Sequence, residues 1–147
     1  MFDERNNAEY AIGLSATLSG TTAAKGNIVD LKGWNALTFT VSTGTVTDAG
    51  TTSGFSFEVQ ESDTTADAAF TAVADGDLVG LESELTVTSD SADNTLVGSI
   101  GYRGGKRYVR IVATGTTGTD AAVSVHATKR RGGAEGTATV AEAISAV

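Results

Sequence analysis

Apolar and polar residues alternate with a period of two along most of this chain. Tyr10, Ile12, Leu14, Ala16 and Leu18 share one parity against Ala11, Gly13, Ser15 and Thr17. Leu37, Phe39 and Val41 alternate with Thr38, Thr40 and Ser42, and Phe55, Phe57 and Val59 with Ser56, Glu58 and Gln60. The pattern returns at Leu85 and Val87, at Val109 and Ile111, and at Val123 and Val125. Successive side chains of a strand project to opposite faces, so each segment predicts a strand with one buried and one wet face, as in antiparallel sheets. Shorter strands are expected at 27–31, 69–73 and 95–102. The segments 19–24, 43–53, 63–67, 75–77, 89–94 and 115–120, rich in Gly, Thr, Ser, Asp and Asn, read as loops. Roughly eight to ten strands spaced about 8–12 residues apart predict an all-β fold, an antiparallel β-sandwich of jelly-roll-like type. One core is expected to gather Phe39, Phe55, Phe57, Val87, Val109, Ile111 and Val123.

The segment 99–112 reads as a β-hairpin, with two alternating runs joined at Gly104-Gly105 and with Arg103 and Lys106 flanking the turn. Type I′ and II′ turns need positive φ, which glycine adopts without strain. Three regions follow from the pattern: an N-terminal arm over 1–9, a β-sandwich domain over 10–131, and a C-terminal tail over 132–147. A short helix is expected in the tail. Thr139 and Glu142 have capping-box spacing, and Val140, Ala143, Ile144 and Val147 fall at i, i+3, i+4 and i+7. A helix this short must dock on something to persist.

Composition strengthens the all-β reading: the chain has 18 glycines and no proline, and threonine and valine are plentiful. Without cysteine there are no disulfides and no thiolate metal sites. No apolar run approaches the length of a membrane span, and residues 1–7 lack the basic and apolar regions of a secretory signal. The net charge of −8 is uneven, because residues 103–131 hold seven basic side chains and one acidic one. An acidic protein with one basic stripe is poorly suited to nucleic acid and well suited to self-association or to docking on another charged protein. Arg103, Lys106, Arg107 and Arg110 are the stripe residues expected at such an interface. Glu58, Glu61, Asp63, Glu82 and Glu84 are candidate partners on a neighbouring copy. Lys106, Tyr108 and Arg110 also share one strand face, where pairing with acids across the sheet is the competing reading.

Catalytic chemistry finds no foothold. The one histidine, His126, lies on the polar face of its strand without a motif for a nucleophile or an orienting carboxylate. The acidic groups at Asp63 and Asp67, Asp75 and Asp77, and Asp90 and Asp93 lack the spacing of a calcium loop and read as turn residues. The glycines of 98–105 are not a phosphate loop. Trp34 reads as a core or sheet-edge anchor rather than a sugar-stacking platform. No cofactor is expected, and no enzymatic activity.

The strings Phe57-Glu58-Val59-Gln60-Glu61-Ser62-Asp63, Phe70-Thr71-Ala72-Val73, Asp93-Asn94 and Ile100-Gly101-Tyr102-Arg103-Gly104-Gly105-Lys106-Arg107-Tyr108-Val109-Arg110 together resemble small head proteins of tailed bacteriophages. The resemblance covers mainly residues 35–128. It implies a β-sandwich without catalysis that decorates or cements the outer capsid surface, often as a trimer at three-fold positions. The implied partners are the major capsid protein and the chain itself, with no nucleic acid and no membrane. The implied location is the virion, after synthesis in the host cytoplasm. Phe2 and Arg5 in the arm and Ile144 and Val147 in the tail are further expected contacts, since arms that order on a partner suit assembly proteins. A head–tail joining or tail structural protein has the same composition. A carbohydrate-binding module would gather its aromatics on one face, whereas Trp34 and the three tyrosines are scattered.

Overall fold

The computed structural model describes residues 4–131. A single turn of helix, α1 (Glu4–Asn7), leads into ten strands. They are β1 (Ala8–Ser19), β2 (Ala24–Lys25), β3 (Val29–Asp30), β4 (Ala36–Asp48), β5 (Ser56–Ser62), β6 (Thr71–Ala72), β7 (Leu78–Val79), β8 (Leu96–Tyr102), β9 (Tyr108–Thr114) and β10 (Asp120–Arg130). One antiparallel sheet has the order β1-β10-β4-β8-β7, and the other runs β2-β9-β5-β6 with β3 also paired to β9. The chain therefore changes sheets at β1–β2, β3–β4, β4–β5, β6–β7, β8–β9 and β9–β10. The fold is an all-β sandwich.

The inward faces of the two sheets form one core. Leu37, Phe39, Val41, Ile100, Val123 and Val125 from the first sheet join Phe57, Val59, Val109, Ile111 and Ala113 from the second. All seven core residues named from the alternation, Phe55 and Val87 among them, belong to it. Burying aromatic and β-branched side chains of this size contributes about 1.5–3 kcal/mol each.

Three local features depart from the simple alternation. In β1 the pairing with β10 steps from Ile12↔His126 to Leu14↔Val125, leaving Gly13 as the extra residue of a bulge. The bulge switches the faces of the strand: Leu14 and Leu18 enter the core, while Tyr10 and Ile12 turn outward at 61% and 46% exposure. Gly13 is fitted to this place, since a methyl group there would lie 3.3 Å from the Phe39 ring. The second departure is β4, which continues to Asp48 through a segment that reads as loop from Thr43 onward. Side chains of the 89–95 loop region hold it there, with Asp93 Oδ1 accepting from Val46 N (2.7 Å) and Asp90 Oδ1 from Ala49 N (2.8 Å). The third is the expected strand around Leu85 and Val87, which is instead a 3₁₀ turn (Glu82–Leu85) followed by a single bridge between Phe55 and Val87. Leu85 and Val87 still reach the core, at 1% and 6% exposure.

The expected hairpin is also corrected. β8 pairs with β4 and β7, β9 pairs with β2, β3 and β5, and the two strands lie in different sheets. Residues 103–107 thus form an arch that crosses the end of the sandwich, and neither Gly104 nor Gly105 has a positive φ. The arch is organised by Tyr102, which is 4% exposed. Its hydroxyl donates to Glu61 Oε1 (2.6 Å) and accepts from Lys106 N (3.0 Å). Burial above all, then the hydrogen bond to Glu61, pushes this phenol well above the ordinary tyrosine range.

Candidate functional site

The basic stripe enters the structure along the arch and β9, and its residues part company there. Arg110 is 6% exposed because the loop over 63–70 folds across the outer face of the second sheet. Phe70 lies under its guanidinium at 4.2 Å, Gln60 Oε1 accepts from Nε at 2.9 Å, and Asp67 Oδ1 accepts from Nη1 at 2.6 Å. Asp67 also takes Lys25 Nζ at 2.8 Å, and the hydrogen bonds from Lys25 and then Arg110 hold its carboxyl below the usual range. Arg107 makes a two-pronged pair with Asp30, Nε to Oδ1 at 2.8 Å and Nη2 to Oδ2 at 2.9 Å, and lies over the Tyr108 ring at 4.9 Å. Lys106 Nζ donates to Asp63 Oδ2 at 2.7 Å, which raises the lysine pKa. Arg103 is exposed, and its Nε donates to the Gly76 carbonyl at 3.4 Å.

These pairs answer charges within the subunit, and they reduce the list of acids open to a neighbour. Asp63 holds Lys106, Glu61 accepts from Tyr102, and Glu82 Oε1 accepts from Val59 N (2.8 Å). Burial raises the pKa of Glu82, with the Val59 hydrogen bond opposing it. Glu84 and Glu58 remain exposed, with Gln60 Nε2 donating to Glu58 at 2.8 Å. Arg5 is exposed in α1. Phe2, Ile144, Val147 and the expected helix over 139–147 lie outside the described residues.

A cavity of about 420 Å³ opens between the 31–37 segment and the arch. Leu31, Trp34 and Leu37 give it apolar walls, and Lys32, Arg103, Lys106 and Arg107 bring four basic side chains to its lining. Half-buried Trp34 is neither a core anchor nor a free platform. Arg131 sits 4.2 Å over its ring, and Lys129 Nζ lies 5.2 Å from its centroid. Lys129, itself 8% exposed, pairs with Glu9 (2.5 Å) and donates to the Asp30 carbonyl (3.1 Å). Nothing local in the sequence signals this cluster, because β4 and β10 must pair before Trp34 meets Lys129 and Arg131.

The outer face of the first sheet is the opposite in character. Three rows cross it in register: Tyr10, Thr128, Thr38, Gly101 and Val79; Ile12, His126, Thr40 and Ser99; Ser15, Ser124, Ser42 and Leu96. None of these three rows contains a carboxylate, ammonium or guanidinium group; Arg130 follows in the next row (Ala8, Arg130, Ala36) and Asp120, paired with Ser19, lies at the other end of the same face. Tyr10, Ile12, Val79 and Leu96 are exposed at its margins, Leu96 to 69%. His126 is exposed between Ile12 and Thr40, as its parity predicts. Interface centres are depleted of charge in the same way. No helix among the described residues is long and apolar enough to cross a membrane.

The Asp30–Arg107 pair carries a pH signature. The Arg107 hydrogen bonds, then the bond from Lys32 N, hold the Asp30 carboxyl far below the usual range. A folded-state pKa below the unfolded value of about 3.9 stabilises the fold above that pH, and the contribution fades as pH falls through the folded value. Wild type should therefore melt higher than Asp30→Asn near neutral pH, with a difference that narrows once pH drops below about 4. Thermal melts from neutral to strongly acidic pH check this, and a constant difference would refute the assignment.

No family model, curated protein or solved structure matches the chain.

Proposed function

We propose that the protein is a non-catalytic virion component that attaches through the outer face of its first sheet to the outer surface of a tailed-phage capsid and stabilises the shell. The middle of this face, free of carboxylate, ammonium and guanidinium groups between Arg130 and Asp120, carries this reading. Those three rows, made of small, hydroxyl and apolar side chains and His126, have no carboxylate, ammonium or guanidinium group to strand when they are desolvated against another protein. The second sheet offers less, because the 63–70 loop already covers part of it and Arg110 is buried beneath. The strand order, β1-β10-β4-β8 facing β2/β3-β9-β5-β6, supports the jelly-roll reading, a fold used by viral capsid proteins. The likeness of the strings over 57–63 and 100–110 to phage head proteins supplies the capsid as partner and a homotrimer at three-fold positions as the arrangement.

Capsids lacking the protein, mixed with the full chain and imaged by electron microscopy, test the proposal. Saturable density at three-fold positions is expected, with occupancy reduced about tenfold in a Tyr10→Glu, Leu96→Glu double variant, the scale of losing central apolar contacts. A ring at the head–tail vertex would move the protein to the head–tail joining class. Equal occupancy in the double variant would remove the sheet face from the docking role.

A further inference from the structure

We propose that the cavity beside Trp34 is a carboxylate-binding site that takes an acidic peptide segment of a partner protein. The inference stands apart from the capsid reading, which uses a different face. Of the four basic side chains in the lining, Lys106 and Arg107 already hold Asp63 and Asp30. Arg103 has one hydrogen bond, to a neutral carbonyl, and among the described residues neither it nor Lys32 has an ion pair. Two cations with no carboxylate of their own thus face one cavity in a protein whose net charge is −8. Arg131, outside the lining but stacked on Trp34, adds positive charge behind that wall.

The cavity's charge and shape choose the ligand class. A surplus of about two positive charges matches one or two carboxylates, and the guanidinium of Arg103 can bind a carboxylate through two parallel N–H donors. The apolar wall of Leu31, Trp34 and Leu37 suits aliphatic side chains interleaved with those carboxylates. A long polyanion such as nucleic acid would meet the field of the whole acidic chain and be repelled, whereas a short peptide feels mainly the local charge.

Trp34 is the chain's single tryptophan and lines the cavity, so its fluorescence reports occupancy directly. The full-length protein is titrated with a short peptide of alternating glutamate and leucine, and in parallel with inorganic phosphate, while calorimetry supplies a second readout. The peptide should shift Trp34 emission saturably and should weaken as salt is added. A Lys32→Glu, Arg103→Glu double variant should bind it at least about tenfold less tightly, with a melting temperature close to wild type because both side chains are exposed. Should that variant fail to fold, single Lys32→Gln and Arg103→Gln variants should each lose part of the affinity. Phosphate binding as tightly as the peptide would overturn the proposal. So would unchanged affinity in the variants, or the absence of both an emission change and binding heat.

Discussion

Replacing Phe57 with alanine is expected to lower the unfolding free energy by about 3–5 kcal/mol, the range for truncating a buried phenylalanine. Phe57 is 3% exposed and meets Phe55 edge-to-face, with ring centroids 6.2 Å apart and planes at 72°. It sits on β5, which is registered to β9 over seven pairs from Ser56↔Thr114 to Ser62↔Tyr108. A strand held along its whole length cannot collapse into the space the ring leaves, so the cavity penalty adds to the lost transfer energy. Phe55 would also lose its ring partner while still bridging Val87 through the backbone. Tyr10→Ala is the matching control. At 61% exposure it should change stability by no more than about 0.5 kcal/mol in the isolated protein. Denaturant unfolding of both variants checks the pair, and a loss below about 1 kcal/mol at Phe57 would mean that its site is not core.

That contrast marks what the alternation could and could not convey. Period two identifies which residues share a face, and at Phe57 and Val59 the burying face is also clear because the other parity, Ser56, Glu58 and Gln60, is polar. In β9 the parity opposite Val109 and Ile111 carries Tyr108 and buried Val112 as well as Arg110. In β1 both halves are apolar on the same parity, yet a bulge at Gly13 sends Tyr10 and Ile12 to the opposite side from Leu14 and Leu18. A bulge depends on the partner strand, so it leaves little trace in β1 itself. The same holds for Leu85 and Val87. A 3₁₀ turn and one bridge bury them as well as a strand would, and burial alone cannot separate the two.

The candidate sites were legible in part. The basic cluster over 103–110 stands out in the sequence, but its partners do not. Asp30 lies 77 positions from Arg107, and Asp63 and Asp67 each lie 43 from Lys106 and Arg110. Only the pairing of β9 with β3 and β5 brings the arginine-bearing strand beside those loops. The competing reading, in which the stripe pairs with acids across the sheet, meets a different arrangement at Arg110: its registered neighbour Gln60 is a neutral acceptor, and the acid that pairs with it, Asp67, comes from the 63–70 loop. Nor does that reading describe Arg103, whose position on the arch leaves it free to meet an anion. The charge-free rows were hidden for the opposite reason: their serines and threonines are spread over β1, β4, β8 and β10 and line up only once those strands align.

Gly104→Asn separates the arch from the hairpin by the sign of its effect. In a two-residue hairpin turn, Asn-Gly is among the most favoured pairs, so the substitution would be neutral or stabilising. In the arch, a Cβ at position 104 would lie 2.5 Å from the Tyr102 hydroxyl oxygen and 2.6 Å from the ring carbon that bears it. A flexible surface side chain could swing aside, but Tyr102 is 4% exposed and its hydroxyl is fixed between Glu61 and Lys106 N. Either the ring moves and leaves the Lys106 amide and the Glu61 carboxylate without their partner, or the arch itself is displaced. Overpacking costs about 1–3 kcal/mol, and losing part-buried hydrogen bonds of the Tyr102 hydroxyl adds about 1 kcal/mol. The expected loss for Gly104→Asn is therefore about 2–4 kcal/mol in denaturant unfolding. Gly105→Asn should be close to neutral, since open space surrounds the Cβ it would add. A stabilising Gly104→Asn would restore the hairpin. A large loss at position 104 together with tolerance at 105 would locate the constraint in the Tyr102 ring, because Gly104 has no positive φ and its backbone alone does not call for glycine.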